Sequence, residues 1–167
     1  MKKQNYSEEQ FLSILDATPL VSIDLVIRSE RGRILLGKRV NRPAQGFWFV
    51  PGGRIRKNER IADALDRIAQ AELGVLLKPA QLLGAYDHFY EDNYHGHAGI
   101  NTHYVALGFA AKLNEAVKFN GDEQHSELRW WEVKELLASP EVHEHTKSYF
   151  RPDMGHTFRE LRVRVES

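Results

Sequence analysis

One stretch of this 167-residue chain constrains everything around it: Gly53 to Val75, GRIRKNERIADALDRIAQAELGV. From Asn58, a residue suited to cap a helix, apolar side chains recur at Ile61, Ala64, Leu65, Ile68 and Leu73. Gly74 then stands where a left-handed residue ends a helix. The spacing predicts a helix that starts near Asn58 and stops at Gly74. Positions 68, 71 and 72 fall within one turn, so acidic residues there would share a face and hold hard cations between them. Only Glu72 is acidic; Ile68 and Ala71 occupy the other two places. Read alone, Glu72 is an ordinary solvated residue of a helical face. Its spacing to Gly53, Glu59, Arg67 and Gly74 favours a metal ligand instead.

The rest of the chain frames that helix. Ser7 to Leu15 reads as a short helix with Phe11, Ile14 and Leu15 on one face. Val21 to Ile27 alternates, with Val21, Ile23, Leu25 and Ile27 on one side and Ser22, Asp24 and Val26 on the other, which is strand behaviour. The turn Ser29-Glu30-Arg31-Gly32 leads into Ile34-Leu35-Leu36, so a hairpin is expected. The loop Arg42-Pro43-Ala44-Gln45-Gly46 precedes an aromatic strand, Phe47 to Val50, and a turn at Pro51-Gly52-Gly53. Further strands are expected at Leu82–Tyr90, Thr102–Leu113 and Leu128–Trp131, and helices at Val133–Ala138 and Val142–Phe150. His95 and His97 fall in a hairpin turn and receive no role. Trp48, Trp130 and Trp131 read as core or pocket walls. Strands mixed with a few helices give an α/β (α+β) sandwich, a mixed β-sheet core between helices. No repeat or linker divides it, so residues 1–167 are expected to be a single domain with a charged tail at 151–167.

Bulk composition narrows the partners. The chain carries 23 basic and 23 acidic side chains, a zero formal charge that argues against broad capture of nucleic acid. A local basic pocket for a small anion remains open. Without cysteine there is neither a disulfide nor a thiolate metal site. No apolar run approaches membrane length, and the polar start MKKQNYSEEQ has no apolar leader core, so a soluble cytoplasmic protein is expected.

The spacing of Gly53, Glu59, Arg67, Glu72, Gly74 and Val75 resembles the signature of the Nudix family, without two of the three carboxylates that cluster at the end of its helix. The stretch from Leu36 to Arg54, LGKRVNRPAQGFWFVPGGR, further resembles the family's GDP-mannose mannosyl hydrolase branch, which lacks the same two. The likeness runs from about Thr18 to Phe150 and takes in Pro19-Leu20-Val21-Ser22, Asp87-His88-Phe89-Tyr90, Thr102-His103-Tyr104 and Asp122-Glu123-Gln124-His125. It implies the Nudix fold, a homodimer and one Mg²⁺ per subunit, with Mn²⁺ as an alternative. Glu72, Gln124 and Gly52 are the implied metal ligands. One carboxylate plus neutral oxygens and substrate phosphate suits Mg²⁺, which takes few protein ligands.

With the helix stripped of its base, another group must deprotonate water. His125 has an ordinary pKa near ~6.5, matched to neutral pH, although a loop histidine taken alone is more often a solvated one. The resemblance makes it the base. Arg39 and Arg54 flank the Gly52-Gly53 turn and can grip a diphosphate bidentately; singly, each is as well read as surface charge. The resemblance gives both the diphosphate, with Lys38 a weaker candidate and Tyr104 donating its hydroxyl there. Asp24 interrupts an apolar strand, where the residues alone favour a structural pair with an arginine. By resemblance, Asp24 and His88 line a sugar pocket. Arg67 is expected to brace the Glu72 region, and Phe11 to stack on guanine across a dimer interface.

The reaction so implied is hydrolysis of GDP-mannose, or a related GDP-sugar, to GDP and sugar by inverting attack of water at C1. Two rivals stand beside it. One is a Nudix diphosphohydrolase that attacks phosphorus of a nucleoside diphosphate derivative. The other is a non-catalytic binding or regulatory module whose box has decayed.

Overall fold

The computed structural model describes residues 6–119 and 125–151, with backbone alone at 125 and 126. Gln124 and the tail beyond Arg151 therefore lie outside the described residues. Helix α1 (Glu8–Ala17) begins at Ser7, whose hydroxyl accepts from the Gln10 amide while the Gln10 side chain accepts from the Ser7 amide. This reciprocal pair satisfies two of the orphan donors at the helix start. Phe11, Leu12 and Leu15 form its buried stripe, with Leu12 rather than Ile14 at the centre.

Among the described residues seven strands make one mixed sheet: β1 (Leu20–Arg28), β2 (Ile34–Arg39), β3 (Trp48–Phe49), β4 (Gly52–Arg54), β5 (Ala80–Tyr90), β6 (Thr102–Lys112) and β7 (His125–Trp131). Strands β1 and β6 run parallel, whereas the other pairs are antiparallel. The main path is β3-β2-β1-β6-β5; β4 adds to the first half of β1 and β7 to β2. The expected β1–β2 hairpin is present, with Arg28 opposite Ile34. The alternation in β1 suggested one buried face, yet every residue from Ser22 to Ile27 is buried. Ile23, Leu25 and Ile27 meet α2 (Ile61–Leu73), while Val26 joins a second cluster with Trp48, Phe49, Val50 and Trp131. Apolar matter on both faces makes the sheet the middle layer of a sandwich.

Three local expectations are corrected. Gly52 and Gly53 are not a turn: they begin β4 and pair with Asp24 and Ile23. Only glycine fits at 52, because a Cβ there would stand 2.5 Å from the Ile23 carbonyl oxygen. Helix α2 starts at Ile61 rather than near Asn58, which adopts a left-handed φ of 64°. The reason lies in Glu59, whose carboxylate accepts from the Arg56 amide and from Arg67, closing the preceding loop onto the helix. His125, expected in a loop, is the first residue of β7 and the register partner of Arg39. Gly74 ends α2 with φ 72°, as its position predicts. Helix α3 (Val133–Ala138) falls as expected, and the next helix, α4, is shorter, Glu144–Ser148.

Candidate active site

A cavity of about 580 Å³ opens where β1, β2 and β4 meet the ends of β5 and β6. Its lining includes Asp24, Arg39, Gly52, Arg54, His88 and Tyr104, six of the residues singled out in the sequence. The sheet explains the convergence. Asp24 pairs with Gly52 across β1–β4, and His88 pairs with Tyr104 across β5–β6. A second cavity of about 600 Å³ adjoins it, sharing Arg42 and Tyr90.

Cationic groups gather on one side of the first cavity. Arg39 lies with its guanidinium carbon 5.7 Å from the Phe49 ring centre, and its buried Nε has no hydrogen-bond partner among the described residues. A buried guanidinium donor left over in this way suits an anionic oxygen. Arg54 lies over the Phe11 ring at 4.6 Å, so Phe11 supports this arginine from α1. Burial raises the Tyr104 phenol above its ordinary range, against the pull of both arginines, so the hydroxyl remains a donor. Lys38 is not part of the lining; its ammonium is 3.9 Å from Glu141 and 5.8 Å from the Trp48 ring.

Within reach of Arg39 lies a buried polar nest. Asp24 is 6% exposed, and its partner is not an arginine: the Tyr149 hydroxyl donates to Oδ2 at 2.8 Å. Burial pushes this carboxyl up to about 6, while the Tyr149 hydrogen bond and Arg39 pull it down. His88 Nδ1 sits 3.8 Å from the same oxygen, too far for a hydrogen bond. Burial, with His145 and His143 alongside, holds His88 down at about 3, so the contact joins a carboxyl to a neutral ring. Its Nε2 is buried without a hydrogen-bond partner among the described residues. His145 stacks flat on His88, with centroids 4.3 Å apart and planes at 7°.

The box residues divide into scaffold and ligand candidates. Arg67 grips both oxygens of Glu59, at 2.6 and 2.8 Å, and donates to the Arg54 carbonyl at 2.8 Å. It therefore braces the loop and β4. This pair holds Glu59 down at about 2. Ile68 is fully buried and touches Gly53, whereas Ala71 is exposed. Glu72 is buried one helical turn after Ile68, on the face of α2 turned to β4. Among the described residues no group of three His, Asp or Glu is arranged to hold a metal ion. Glu72 is not among the lining residues of either cavity; as a single buried carboxylate it suits Mg²⁺, which takes few protein ligands. No helix among the described residues is long and apolar enough to cross a membrane.

Sequence reasoning passed over Arg42, Tyr90, His143, His145 and Tyr149. Tyr90 was open to discovery, since it follows His88 by two residues on one strand and so shares its face. Tyr149 gave no local signal: it meets Asp24 across 125 residues of chain.

Comparison with known proteins agrees with this architecture. The NUDIX domain family model matches residues 18–153. The chain is 44% identical over 126 residues to the low-salt glycan biosynthesis protein Agl8 of Haloferax volcanii, covering 75% of this chain and 78% of that one. An ADP-ribose pyrophosphatase of Methanocaldococcus jannaschii is 37% identical over 68 residues, 41% of this chain and 40% of its own. Among solved structures, a MutT NUDIX hydrolase from Burkholderia pseudomallei superposes with a TM-score of 0.61 at 30% identity, covering 79% of this chain and 95% of that one.

Proposed function

This chain belongs to the Nudix family, and from that premise we propose that it hydrolyses GDP-mannose to GDP and mannose by attack of water at C1 of the sugar. The observation that carries the reading is one cavity with two chemistries. Arg39, Arg54 and Tyr104 supply donors suited to a diphosphate, and the Asp24–His88 nest supplies buried groups suited to sugar hydroxyls. The name of the Haloferax volcanii relative, a glycan biosynthesis protein, is consistent with a sugar-bearing substrate.

Phosphorus chemistry in this fold would draw on several helix carboxylates, and here position 68 is sealed into the core by Ile68. Attack at carbon asks less of the helix. Arg39 and Arg54 neutralise the charge that grows on the diphosphate as the C1–O bond breaks. A phosphate leaving group so stabilised needs no carboxylic acid to protonate it, unlike the alkoxide of an ordinary glycosidase. His125, opposite Arg39 at the start of β7, takes the proton from water on the far face of the sugar, which inverts the anomeric centre. Mg²⁺, held by Glu72, Gly52 and Gln124, would add Lewis-acid neutralisation of the same diphosphate. We further propose that the active species is a homodimer.

The partial match to an ADP-ribose pyrophosphatase favours a second reading, cleavage at phosphorus. Products separate the two. Incubation with Mg²⁺ and a panel of nucleotide sugars should release GDP and free mannose from GDP-mannose. GMP with mannose phosphate would establish the rival, and no product at all would point to a binding module. His125→Gln should lose most turnover while still binding GDP; near-normal rates would remove His125 from the mechanism.

A further inference from the structure

The chain past β7 does more than close the sandwich. An isolated bridge joins Val142 to Trp48, and α4 then delivers His145 and Tyr149 against the polar nest from outside the cavity lining. The Tyr149 hydroxyl engages Asp24 Oδ2, whereas Oδ1 faces Gly52, 2.9 Å from where a Cβ would stand. Tyr149 reaches this place only because residue 108 of β6 is glycine. A Cβ there would lie 2.7 Å from the Tyr149 ring and 3.2 Å from that of Tyr86.

A buried carboxylate with one oxygen engaged cannot turn about its terminal torsion without losing that bond. Without the hydroxyl, Asp24 would be free to turn away from the orientation in which Oδ2 is held. We propose that Tyr149 is a positioning residue that fixes Asp24 to accept a hydroxyl of the substrate sugar, so that recognition of the hexose depends on α4. This assignment rests on the reading of the cavity as a GDP-sugar site. It concerns the sugar half alone: Tyr149 is not among the residues that line the cavity with Arg39 and Arg54, so GDP binding should be independent of it.

The test is calorimetry of the full chain with Mg²⁺, using GDP and GDP-mannose as probes, in a His125→Gln background that keeps the sugar intact. Adding Tyr149→Phe should leave GDP affinity unchanged and weaken GDP-mannose about tenfold, the value of one hydrogen bond to a charged group. Gly108→Ala, which displaces the ring but keeps the hydroxyl, should give the same selective loss. Equal losses for both ligands, or retained GDP-mannose affinity in either variant, would overturn the assignment. GDP release by the parent chain is scored separately. Its absence sinks the functional reading, while the ratio of the two affinities still decides the role of Tyr149.

Discussion

Ile68 lies directly against Gly53: its Cγ1 stands 3.3 Å from the point that a Cβ on the glycine would occupy. The place where the family signature has a carboxylate is thus part of the apolar core, packed with Ile23, Leu25 and Leu73. Burial of one such side chain contributes about 1.5–3 kcal/mol. The altered box therefore contributes to folding as well as to the proposed change in chemistry.

Restoring the signature should consequently harm the protein. Ile68→Glu places a carboxylate at a position 1% exposed, with Gly53 and core side chains around it. It should destabilise by on the order of 3 kcal/mol or more, read as a lowered denaturation midpoint. It should also fail to produce GMP from GDP-mannose. Gain of GMP release at unchanged stability would show that the helix still carries a latent phosphorus site.

The Glu59–Arg67 pair predicts a specific acid response. Glu59 is held at about 2, below its ordinary 4.5, first by the Arg67 hydrogen bonds. A depressed carboxylate stabilises the fold above the unfolded pKa, and that stability is lost as pH falls from about 4.5 toward about 2. Glu59→Gln should cost on the order of 2 kcal/mol at neutral pH and flatten the denaturation profile through that window.

A separate response comes from the histidines beneath the cavity. His88 is held at about 3 and His143 at about 4, both chiefly by burial, and burial also lowers His145. Each ring binds its proton more weakly when folded. The stability of their neutral forms is complete above about 6.5 and is lost as pH falls through the folded values. Asp24, raised to about 6, contributes the opposite slope between its ordinary 3.8 and about 6. Three rings outweigh one carboxyl, so unfolding free energy should fall on acidification from about pH 6.5. His143→Phe should reduce that slope, at a cost of about 1 kcal/mol for the cap it provides to the His145 amide.

Arg39 and Arg54 should share the diphosphate. Replacing either by Ala should weaken GDP about ten- to hundredfold, as expected for a lost charge-assisted contact of ~1.5–3 kcal/mol. Arg54→Ala should also unsettle Phe11, which lies under that guanidinium. Titration of each variant with GDP checks the effect. Unchanged affinity in both would relocate the diphosphate.

Local signals in the sequence covered most of the frame. Gly74 ends its helix for the reason its position suggests, and the β1–β2 hairpin follows its turn residues. Arg39 and Arg54 stand out beside the Gly52-Gly53 segment and Asp24 as a charge within an apolar strand, while the family resemblance adds His88 and Tyr104. Long-range pairing is what stayed hidden. The strand at Gly52 exists because β1 offers it a partner, and the Asp24 carboxyl is satisfied by a tyrosine far along the chain. Arg67 stood in the box without an assigned carboxylate partner, and its fork fits Glu59, eight residues before it.

The central claim is attack at carbon, and hydrolysis of GDP-mannose in ¹⁸O-labelled water tests it most directly. Mass spectrometry of both products should find the label in mannose and none in GDP. Label in a phosphate group of the nucleotide product would place the attack at phosphorus and contradict the account.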